Sequence, residues 1–235
     1  RTRAGACDHP GLAAGYRFDD GTATDCSSGS AHGTLNGAVT PVAGLKNAAM
    51  RLSGGSISAP GTGRLDVRGQ LALSAWFKTA SRAGYPRIAG KSWPTCGAPW
   101  NVFNFEISQD TGRFAFRVVT ENGTEGYVEG GPGIADDQWH HALGSFDGST
   151  VRLHIDGIEV ASRGLNGRLY SAPDRPFEIG ARTACGDSFF NGLIDEVIVY
   201  DRALTSFDLC NSYLAFCYSA NASAGLTCDR SCVGD

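Results

Sequence analysis

The amino-acid sequence predicts an all-β fold, a two-sheet antiparallel β-sandwich, on three observations. Short runs of alternating apolar and polar residues recur along the chain, as expected for half-buried strands. Glycine-rich turns separate these runs, and 32 of the 235 residues are glycine. No linker interrupts residues 12 to 204. Many short strands in one uninterrupted pattern are typical of two sheets packed face to face.

The individual strands follow from their alternation, and we predict about ten of them. Asp156-Gly157, between VRLHI and IEVAS, predicts a type I′ hairpin turn, because both central residues of such a turn need positive φ. A helical pattern is found in SFDLCNSYL, for which Thr205 is the expected cap, with Asp208 three residues on. The predicted strands include the opening stretch, GYRFDD, LALSAWFKT, RIAGKS, VFNFEIS, GRFAFRVVT, HALGSF, VRLHID, IEVAS and PFEIGA.

Composition excludes some classes of function. The chain is 42% hydrophobic and 19% charged, which suits one large β domain or two small ones. A formal charge of -4 without a basic run argues against nucleic acid as a partner. No apolar stretch approaches the roughly 20 residues that cross a bilayer, so we expect no membrane insertion. The opening RTRAGACDHP lacks a methionine and a signal-like apolar region, which we interpret as the start of a mature, soluble product.

Eight cysteines make disulfide bonds the expected chemistry. Their number is even, and none form CxxC pairs at zinc-finger spacing. Disulfides imply an oxidising compartment, so we expect a secreted, extracellular or periplasmic protein. The sequence alone leaves on the order of a hundred pairings open. The cysteines are Cys7, Cys26, Cys96, Cys185, Cys210, Cys217, Cys228 and Cys232.

The cysteines also define the domain organisation. Five of the eight lie in the first ten residues and in the segment from 206 onward. We therefore predict an N-terminal extension over residues 1–11, one β-sandwich domain over 12–205, and a cysteine-rich extension over 206–235 that packs on the same domain. The small, polar character of SANASAGLTCDRSCVGD favours a stapled irregular tail over a second domain.

Several blocks of sequence resemble a known family. FNGLIDEVIVYDRAL is similar to the closing signature of the laminin G-like, concanavalin A-like jelly-roll family. GYRFDDGTATDCSSGSAHGTLNG, AAMRLSGG, LALSAWFKT and DDQWHHALGSFDGSTVRLHIDGIEVAS resemble further blocks of that family, in the same order. The resemblance implies a concanavalin A-like jelly roll whose first and last strands are neighbours. This architecture carries lectins, adhesion modules and polysaccharide-active enzymes, so the resemblance alone does not choose a function.

The last predicted strand contains an acid that needs explaining. Alternation places Asp195 in phase with Val197, whereas Glu196 is in phase with Ile194, so both apolar faces carry a carboxylate. The resemblance implies a Ca²⁺ ion held by the acid of this strand and by the first loop, and Ca²⁺ takes oxygen ligands of these kinds. The candidate ligands are Asp195, Asp19 and Asp25. Alternatively, Asp195 pairs with an arginine or accepts backbone N–H bonds, and no ion is present.

A ligand site is predicted in KSWPTCGAPWNVF, residues 91 to 103. Exposed indoles beside Lys and Asn suit a sugar ring, which has an apolar face and several hydroxyls. Trp93, Trp100 and Lys91 are the candidates here. Alternatively, the two tryptophans cover one end of the core. A bond between Cys96 and Cys185, both in long loops, would stiffen this rim.

The hairpin of VFNFEIS and GRFAFRVVT offers a second candidate site. Glu106 and Arg117 would be opposite or diagonal neighbours, and a solvated ion pair is the favoured interpretation. On a concave sheet, the same groups with Arg87, Lys91 and Tyr127 would face a saccharide.

Catalysis finds little support in motifs. The chain lacks HExxH, GxSxG, a P-loop and the closely spaced Glu-x-Asp-x-x-Glu strand of related glucan hydrolases. His140, His141 and Trp76 are interpreted as structural residues of strands. No catalytic residues are assigned.

The leading hypothesis is a secreted carbohydrate-binding or adhesion module with structural Ca²⁺, whose partner is a glycan or polysaccharide. The alternatives are a polysaccharide-degrading enzyme, a lyase or glycoside hydrolase, and an adhesion domain that binds an extracellular protein. For a lyase, the suspects would be Arg87, Lys91, Tyr127 and Glu106.

Overall fold

The computed structural model describes residues 7, 10–204 and 208 and shows fifteen strands with two short 3-10 turns. The predicted helix and most of both extensions lie outside these residues, as do the last four cysteines. The turns span Gly63–Leu65 and Thr183–Cys185. The strands are β1 Leu12–Tyr16, β2 Thr34–Asn36, β3 Val39–Ala43, β4 Ala48–Ser53, β5 Ser56–Ala59, β6 Leu71–Lys78, β7 Arg87–Ser92, β8 Asn101–Ile107, β9 Phe114–Val119, β10 Glu125–Gly130, β11 Trp139–Phe146, β12 Thr150–Ile155, β13 Ile158–Gly164, β14 Phe177–Ile179 and β15 Asn191–Tyr200.

The strands form two antiparallel sheets of eight and seven strands, which confirms the predicted jelly-roll sandwich. The first sheet runs in the order β13-β12-β11-β6-β15-β4-β3, with β1 also paired to β15. The second runs in the order β10-β9-β8-β7-β14-β5-β2. Some strands were not expected from alternation because they are short and exposed; all three residues of β2 are exposed.

The two ends of the sandwich chain lie side by side, as predicted. Strand β1 pairs with β15 in antiparallel register, and Tyr16 lies opposite Val197. Strand β15 also pairs with β6 and β4, so it is central in its sheet. Its buried position explains why both of its faces are apolar.

An aromatic core fills the space between the sheets. Phe77 of the first sheet stacks on Phe114 of the second, with ring centroids 5.0 Å apart. Phe105 meets Phe114 and Phe116 edge to face. Gly144 permits this packing, since a Cβ there would lie 2.4 Å from the Phe116 ring. Close packing of the core therefore requires the glycine at position 144 of β11 as well as the aromatic rings.

Strand β15 does not alternate continuously, and that part of the prediction is wrong. Its pairing with β6 shifts between Asp195 and Ile198, and Glu196 adopts a φ of 47°. Ile194 packs in the main core before this bulge and Val197 packs there after it. A bulge inserts one extra residue and moves the following side chains to the other face. The two acids therefore sit where the strand is kinked.

The predicted hairpin at Asp156-Gly157 is confirmed. Both residues have positive φ, 51° and 86°. Asp156 also accepts hydrogen bonds from the backbone N–H of His141 at 2.8 Å and pairs with Nδ1 of His140 at 2.8 Å. Both histidines thus form hydrogen bonds to the turn of the hairpin, in agreement with their structural interpretation.

Candidate functional site

A cleft of about 450 Å³ opens on the second sheet, where β7, β8 and β9 lie next to one another. Two loops extend its walls: the segment that precedes β7, and the segment that connects β14 to β15. The residue before β8 adds an indole ring. The residues that line the cleft are Gly84, Tyr85, Arg87, Trp100, Asn101, Glu106, Arg117, Arg182, Asp187 and Ser188.

Two aromatic side chains project into this cleft. Four large hydrophobic side chains are exposed in the described part of the chain, Leu35, Tyr85, Trp100 and Ile158. Tyr85 and Trp100 are 40% and 43% exposed and both line the cleft. Exposure of an aromatic ring to water is unfavourable, and an exposed ring adds nothing to the core. Two such rings at one cleft therefore indicate a binding surface.

Backbone strain is also concentrated in the cleft. Nine non-glycine residues within the described ranges have positive φ, and three of them line it. Their φ angles are 52° at Tyr85, 69° at Trp100 and 57° at Ser188. Each such residue costs on the order of 1 kcal/mol and persists only where its surroundings hold it. The strain presents the two rings to solvent.

A disulfide bond ties two cleft walls together. Cys96 and Cys185 are bonded, as the sequence suggested, and this links the Trp100 loop to the loop after β14. The guanidinium carbon of Arg182 lies 5.2 Å from the centroid of the Trp100 ring. Arg182 is fixed in turn by Asp187, which accepts from its Nε at 2.7 Å. The rim of the cleft is therefore braced from both sides.

Arg87 forms the floor of the cleft. Its side chain is 1% exposed, and its Nη1 donates to Glu178 Oε2 at 3.2 Å and to Ser92 Oγ at 3.0 Å. Its Nη2 donates to Asn101 Oδ1. Burial lowers the pKa of Arg87 to about 10, and the nearby Glu178 opposes that shift. The guanidinium is thus held in place by protein groups.

Glu106 and Arg117 form one side wall. Asn104 lies directly opposite Arg117, so the two charged residues are diagonal neighbours, joined at 2.9 Å between Glu106 Oε1 and Arg117 Nη2. Their side chains are only 11% and 18% exposed, so the pair is mostly buried where a solvated pair was favoured. Arg117 also covers the ring of Tyr127, at 4.6 Å from its centroid. Tyr127 therefore contacts a residue of the wall without lining the cleft itself.

Three of the five predicted ligand-binding residues, Tyr127, Lys91 and Trp93, are not among the residues that line the cleft. Lys91 is fully buried, and its Nζ donates to the backbone oxygens of Gly61 at 2.7 Å and Leu65 at 3.3 Å and pairs with Asp66 at 3.3 Å. Trp93 is partly buried and packs on Tyr170, with ring centroids 4.1 Å apart. Trp93 thus packs against the core and does not line the cleft.

Sequence reasoning missed half of the cleft. Tyr85, Arg182, Asp187 and Ser188 come from loops without a recognisable motif. The one available signal was the suggested bond between Cys96 and Cys185, because it places ARTACGDSFF beside the Trp100 loop. Asn101 lies in the predicted segment 91 to 103 and does line the cleft.

A separate acidic cluster lies at the β15 bulge. Asp195 is fully buried, and it accepts N–H bonds from Leu45 at 3.3 Å and Glu196 at 2.9 Å. Burial and then the adjacent Glu196 carboxylate raise the pKa of Asp195 to about 8. Burial raises the pKa of Glu196 to about 7, and Arg17, 3.5 Å away, works against that rise. Asp19 adds further negative charge beside both.

Backbone strain marks this cluster too. Phe18, Asn47 and Glu196 have φ angles of 58°, 58° and 47°. Asn47 donates to Asp19 at 2.9 Å, and Arg17 pairs with Asp19 at 2.8 Å. The loop around Asp19 is therefore held against the bulge of β15.

Asp25 does not join these acids. Its Oδ1 accepts from the backbone of Gly15 at 3.0 Å and Ser27 at 2.9 Å, and its Oδ2 accepts from Ala31 at 2.8 Å. The carboxylate thus organises its own loop. A bond between Cys7 and Cys26 fixes the same segment.

The oxygen donors at the bulge can be compared with those that a divalent cation needs. Among the described residues, no three His, Cys, Asp or Glu side chains converge as a metal-binding group. Two carboxylates are nevertheless buried with too little positive charge, because backbone N–H bonds leave the pKa of Asp195 raised. Ca²⁺ is bound by carboxylates together with backbone oxygens, so the carboxylates of Asp195 and Glu196 are of the donor type that Ca²⁺ takes, although they do not form a group of three with Asp19.

Comparisons with known proteins agree with this architecture. Residues 52–210 match a family model, Laminin_G_3, described as the concanavalin A-like lectin/glucanases superfamily. A comparison with curated protein sequences finds no match. Within the described ranges, no helix is long and apolar enough to span a membrane.

Solved structures share the fold. Domain 4 of AbnA, a GH43 extracellular arabinanase from Geobacillus stearothermophilus solved in complex with arabinotriose, aligns with a TM-score of 0.65 and 23% identity, covering 84% of this chain and 96% of that one. The botulinum neurotoxin serotype D ligand binding domain, in complex with N-acetylneuraminic acid, aligns with a TM-score of 0.64 and 11% identity over 86% of this chain. The serotype G binding domain aligns at 0.65 and 14%. This chain spans half the length of each toxin domain.

Proposed function

Since this chain belongs to the concanavalin A-like lectin/glucanase superfamily, we propose that it is a carbohydrate-binding module whose ligand occupies the cleft between Tyr85 and Trp100. The observation that carries the proposal is the pair of exposed aromatic rings, each on a residue with left-handed backbone, at a polar cleft. An indole or phenol ring packs on the C–H face of a sugar, and arginine and carboxylate groups pair with its hydroxyls.

Two structural relatives support a saccharide in this role. The ligands bound in their structures, arabinotriose and N-acetylneuraminic acid, are both carbohydrates. Because identity is low, these ligands identify a class of molecule and no particular glycan.

An extracellular location fits the same proposal. Two disulfide bonds are present in the described part of the chain, and no cysteine there is free. Disulfides persist in oxidising compartments, so we place the protein outside the cytosol as a secreted module.

Binding can be tested with a glycan array followed by titration calorimetry on the glycans retained. Trp100→Ala and Tyr85→Ala are each expected to weaken binding by about tenfold or more, since a central aromatic anchor contributes about 2 kcal/mol. Ile158→Ala is the matched control, because Ile158 is 51% exposed and lies on the first sheet.

Unchanged affinity in both cleft variants would contradict the proposal. Cleavage of a uronic-acid polysaccharide, followed as absorbance of new C=C bonds, would indicate a lyase. Failure of every glycan to bind would favour a protein partner.

We further propose that Ca²⁺ stabilises the β15 bulge through Asp195, with Glu196 and Asp19 beside it. The cation would supply the positive charge that two buried carboxylates lack. It would act on stability and not on sugar contact, because the bulge belongs to the first sheet and the cleft to the second.

Thermal unfolding with and without chelator tests this site. Ca²⁺ is expected to raise the melting temperature of the wild type, since a ligand of the native state must stabilise it. Asp195→Asn should lose that response and, in chelator, unfold at a higher temperature than the wild type, because the uncompensated charge is gone. An equal Ca²⁺ response in both proteins would rule Asp195 out.

A further inference from the structure

Resting on the proposed carbohydrate-binding function, we propose that the cleft selects uncharged saccharides and rejects those that carry carboxylates, because every arginine that lines it is already paired with an acid of the protein.

The three pairs have separate partners. Arg87 Nη1 lies 3.2 Å from Glu178 Oε2. Arg117 Nη2 lies 2.9 Å from Glu106 Oε1. Arg182 donates to both carboxylate oxygens of Asp187, through Nε at 2.7 Å and through Nη2. Each guanidinium group that lines the cleft is thus already paired with at least one carboxylate of the protein.

The set of paired side chains carries one more negative than positive charge. Arg117 has a second acid, with Nη1 2.5 Å from Glu125 Oε1, so three guanidinium groups contact four carboxylates. Asp110 adds a further acid at the rim, where it accepts from the Tyr85 hydroxyl. The hydrogen bond from Arg182 holds the pKa of Asp187 below its usual range, so this rim acid stays ionised at neutral pH.

A ligand carboxylate that takes the guanidinium group of Arg87 or Arg117 has to break the pair that this arginine forms with the protein. Specific recognition of a carboxylate relies on a bidentate arginine fork. Releasing Arg87 would strand Glu178, which is fully buried, and releasing Arg117 would strand Glu106, which is 11% exposed. An acid left buried without its partner is strongly unfavourable. A carboxylate that entered without breaking a pair would meet Glu106 and Asp187.

A neutral sugar meets no such conflict. Its hydroxyls can donate to the paired carboxylates, which keep free lone pairs, and accept from the outer edges of the guanidinium groups. The ring faces of Trp100 and Tyr85 supply the apolar contact.

The walls also resist rearrangement. The Cys96–Cys185 bond, the ring contact between Arg182 and Trp100, and the left-handed backbone at Ser188 hold the rim together. A preformed arrangement of this kind makes the charge pattern a property of the free protein.

Matched ligands test the inference. The full chain is titrated with lactose against sialyllactose, with polygalacturonate against its carboxyl-reduced form, and with arabinotriose. The uncharged member of any pair that binds is expected to bind at least about tenfold more tightly, because like charges meet in the acidic complex. Affinity for it should hardly change between about 50 and 500 mM salt.

Tighter binding of the acidic members would overturn the inference and leave the carbohydrate-binding function standing. Absence of binding to every glycan of the pairs and of an array would overturn both.

Two variants locate the selectivity. Glu106→Gln and Asp187→Asn each remove one negative charge and keep the shape of the side chain, so the preference for uncharged ligands should narrow several-fold. Glu159→Gln on β13 of the first sheet is the control and should leave the ratio of affinities as it is. An unchanged ratio in both cleft variants would refute the inference.

Discussion

Arg182 stacks on Trp100, with its guanidinium carbon 5.2 Å from the ring centroid, while the same guanidinium is hydrogen-bonded to Asp187. One side chain from the loop after β14 thus orients the exposed indole that precedes β8. The contact spans the two walls that the Cys96–Cys185 bond also joins. The geometry of the cleft therefore depends on this pair of loops acting as a unit.

Substitution of Arg182 should release the indole. We expect Arg182→Ala to weaken glycan binding by about tenfold, since a cation over an aromatic ring contributes on the order of 1 kcal/mol and the ring also loses its orientation. Calorimetry measures the affinity, and the emission of Trp100, taken as the difference from Trp100→Phe, reports the exposed ring. Arg113→Ala, in an exposed residue at the start of β9, is the control. Equal affinity in both variants would contradict the prediction.

Removal of the rim disulfide should lower both stability and affinity. Cys96 and Cys185 are 89 residues apart, so their bond restricts a long loop of the unfolded chain. We expect Cys96→Ser with Cys185→Ser to cost about 2 to 5 kcal/mol in denaturant unfolding. Titration at a temperature where the variant remains folded should then show weaker glycan binding. Loss of stability with full affinity would show that the bond does not shape the cleft.

The buried pair under the cleft should behave as a unit. Arg87→Met leaves Glu178 buried without its cation, and we expect a loss of about 3 to 5 kcal/mol in the free energy of unfolding. The double variant with Glu178→Met should lose less than the single one, because no charge is then left unpaired. Denaturant unfolding of both proteins measures the difference. A double variant less stable than Arg87→Met would argue against this account.

Acid should destabilise the protein through His141. Burial lowers the pKa of His141 to about 4, against roughly 6.5 in the unfolded chain. The unfolded state therefore binds a proton more readily between these values, and the stability that is present above pH 6.5 is lost as the pH falls through about 4. We expect the loss to reach about 3 kcal/mol.

His141→Gln should reduce this slope, and Ser74, whose Oγ lies 2.8 Å from His141 Nε2, keeps a hydrogen-bonding partner. Denaturant unfolding from pH 7 to pH 4 compares the two proteins. Asp195 acts in the opposite direction without Ca²⁺, because its raised pKa makes stability fall as the pH rises towards 8. An identical slope in wild type and variant would exclude His141 as the source.

The fold was predictable because alternation and turn chemistry are local properties. LALSAWFKT has an apolar residue at every second position from Leu71 to Phe77 and forms β6, and Asp156-Gly157 makes the expected turn. The bulge at Glu196 was not predictable, since an extra residue in a strand leaves the pattern of apolar positions almost unchanged. Which side chains of β15 face the core depends on its pairing with the strands on either side. The sequence of the strand alone does not show that pairing.

The candidate site was predictable only in part, because loops bring it together across long separations. Trp100 was expected as a ligand residue from its aromatic bulk in a loop, and Arg87 from its charge on a strand. Tyr85 has no such feature in the sequence, and only the fold brings it to the same cleft as Trp100. Lys91 shows the reverse case, since a lysine beside two tryptophans looks accessible in sequence, yet backbone carbonyls of Gly61 and Leu65 enclose it.

The acidic bulge and the aromatic cleft belong to different sheets of one sandwich. Changes at well-separated positions combine almost additively, so specificity and cation dependence can diverge independently in evolution. An engineer could graft new residues into the two disulfide-linked loops to change the ligand of the cleft, and the scaffold would keep the proposed Ca²⁺ site.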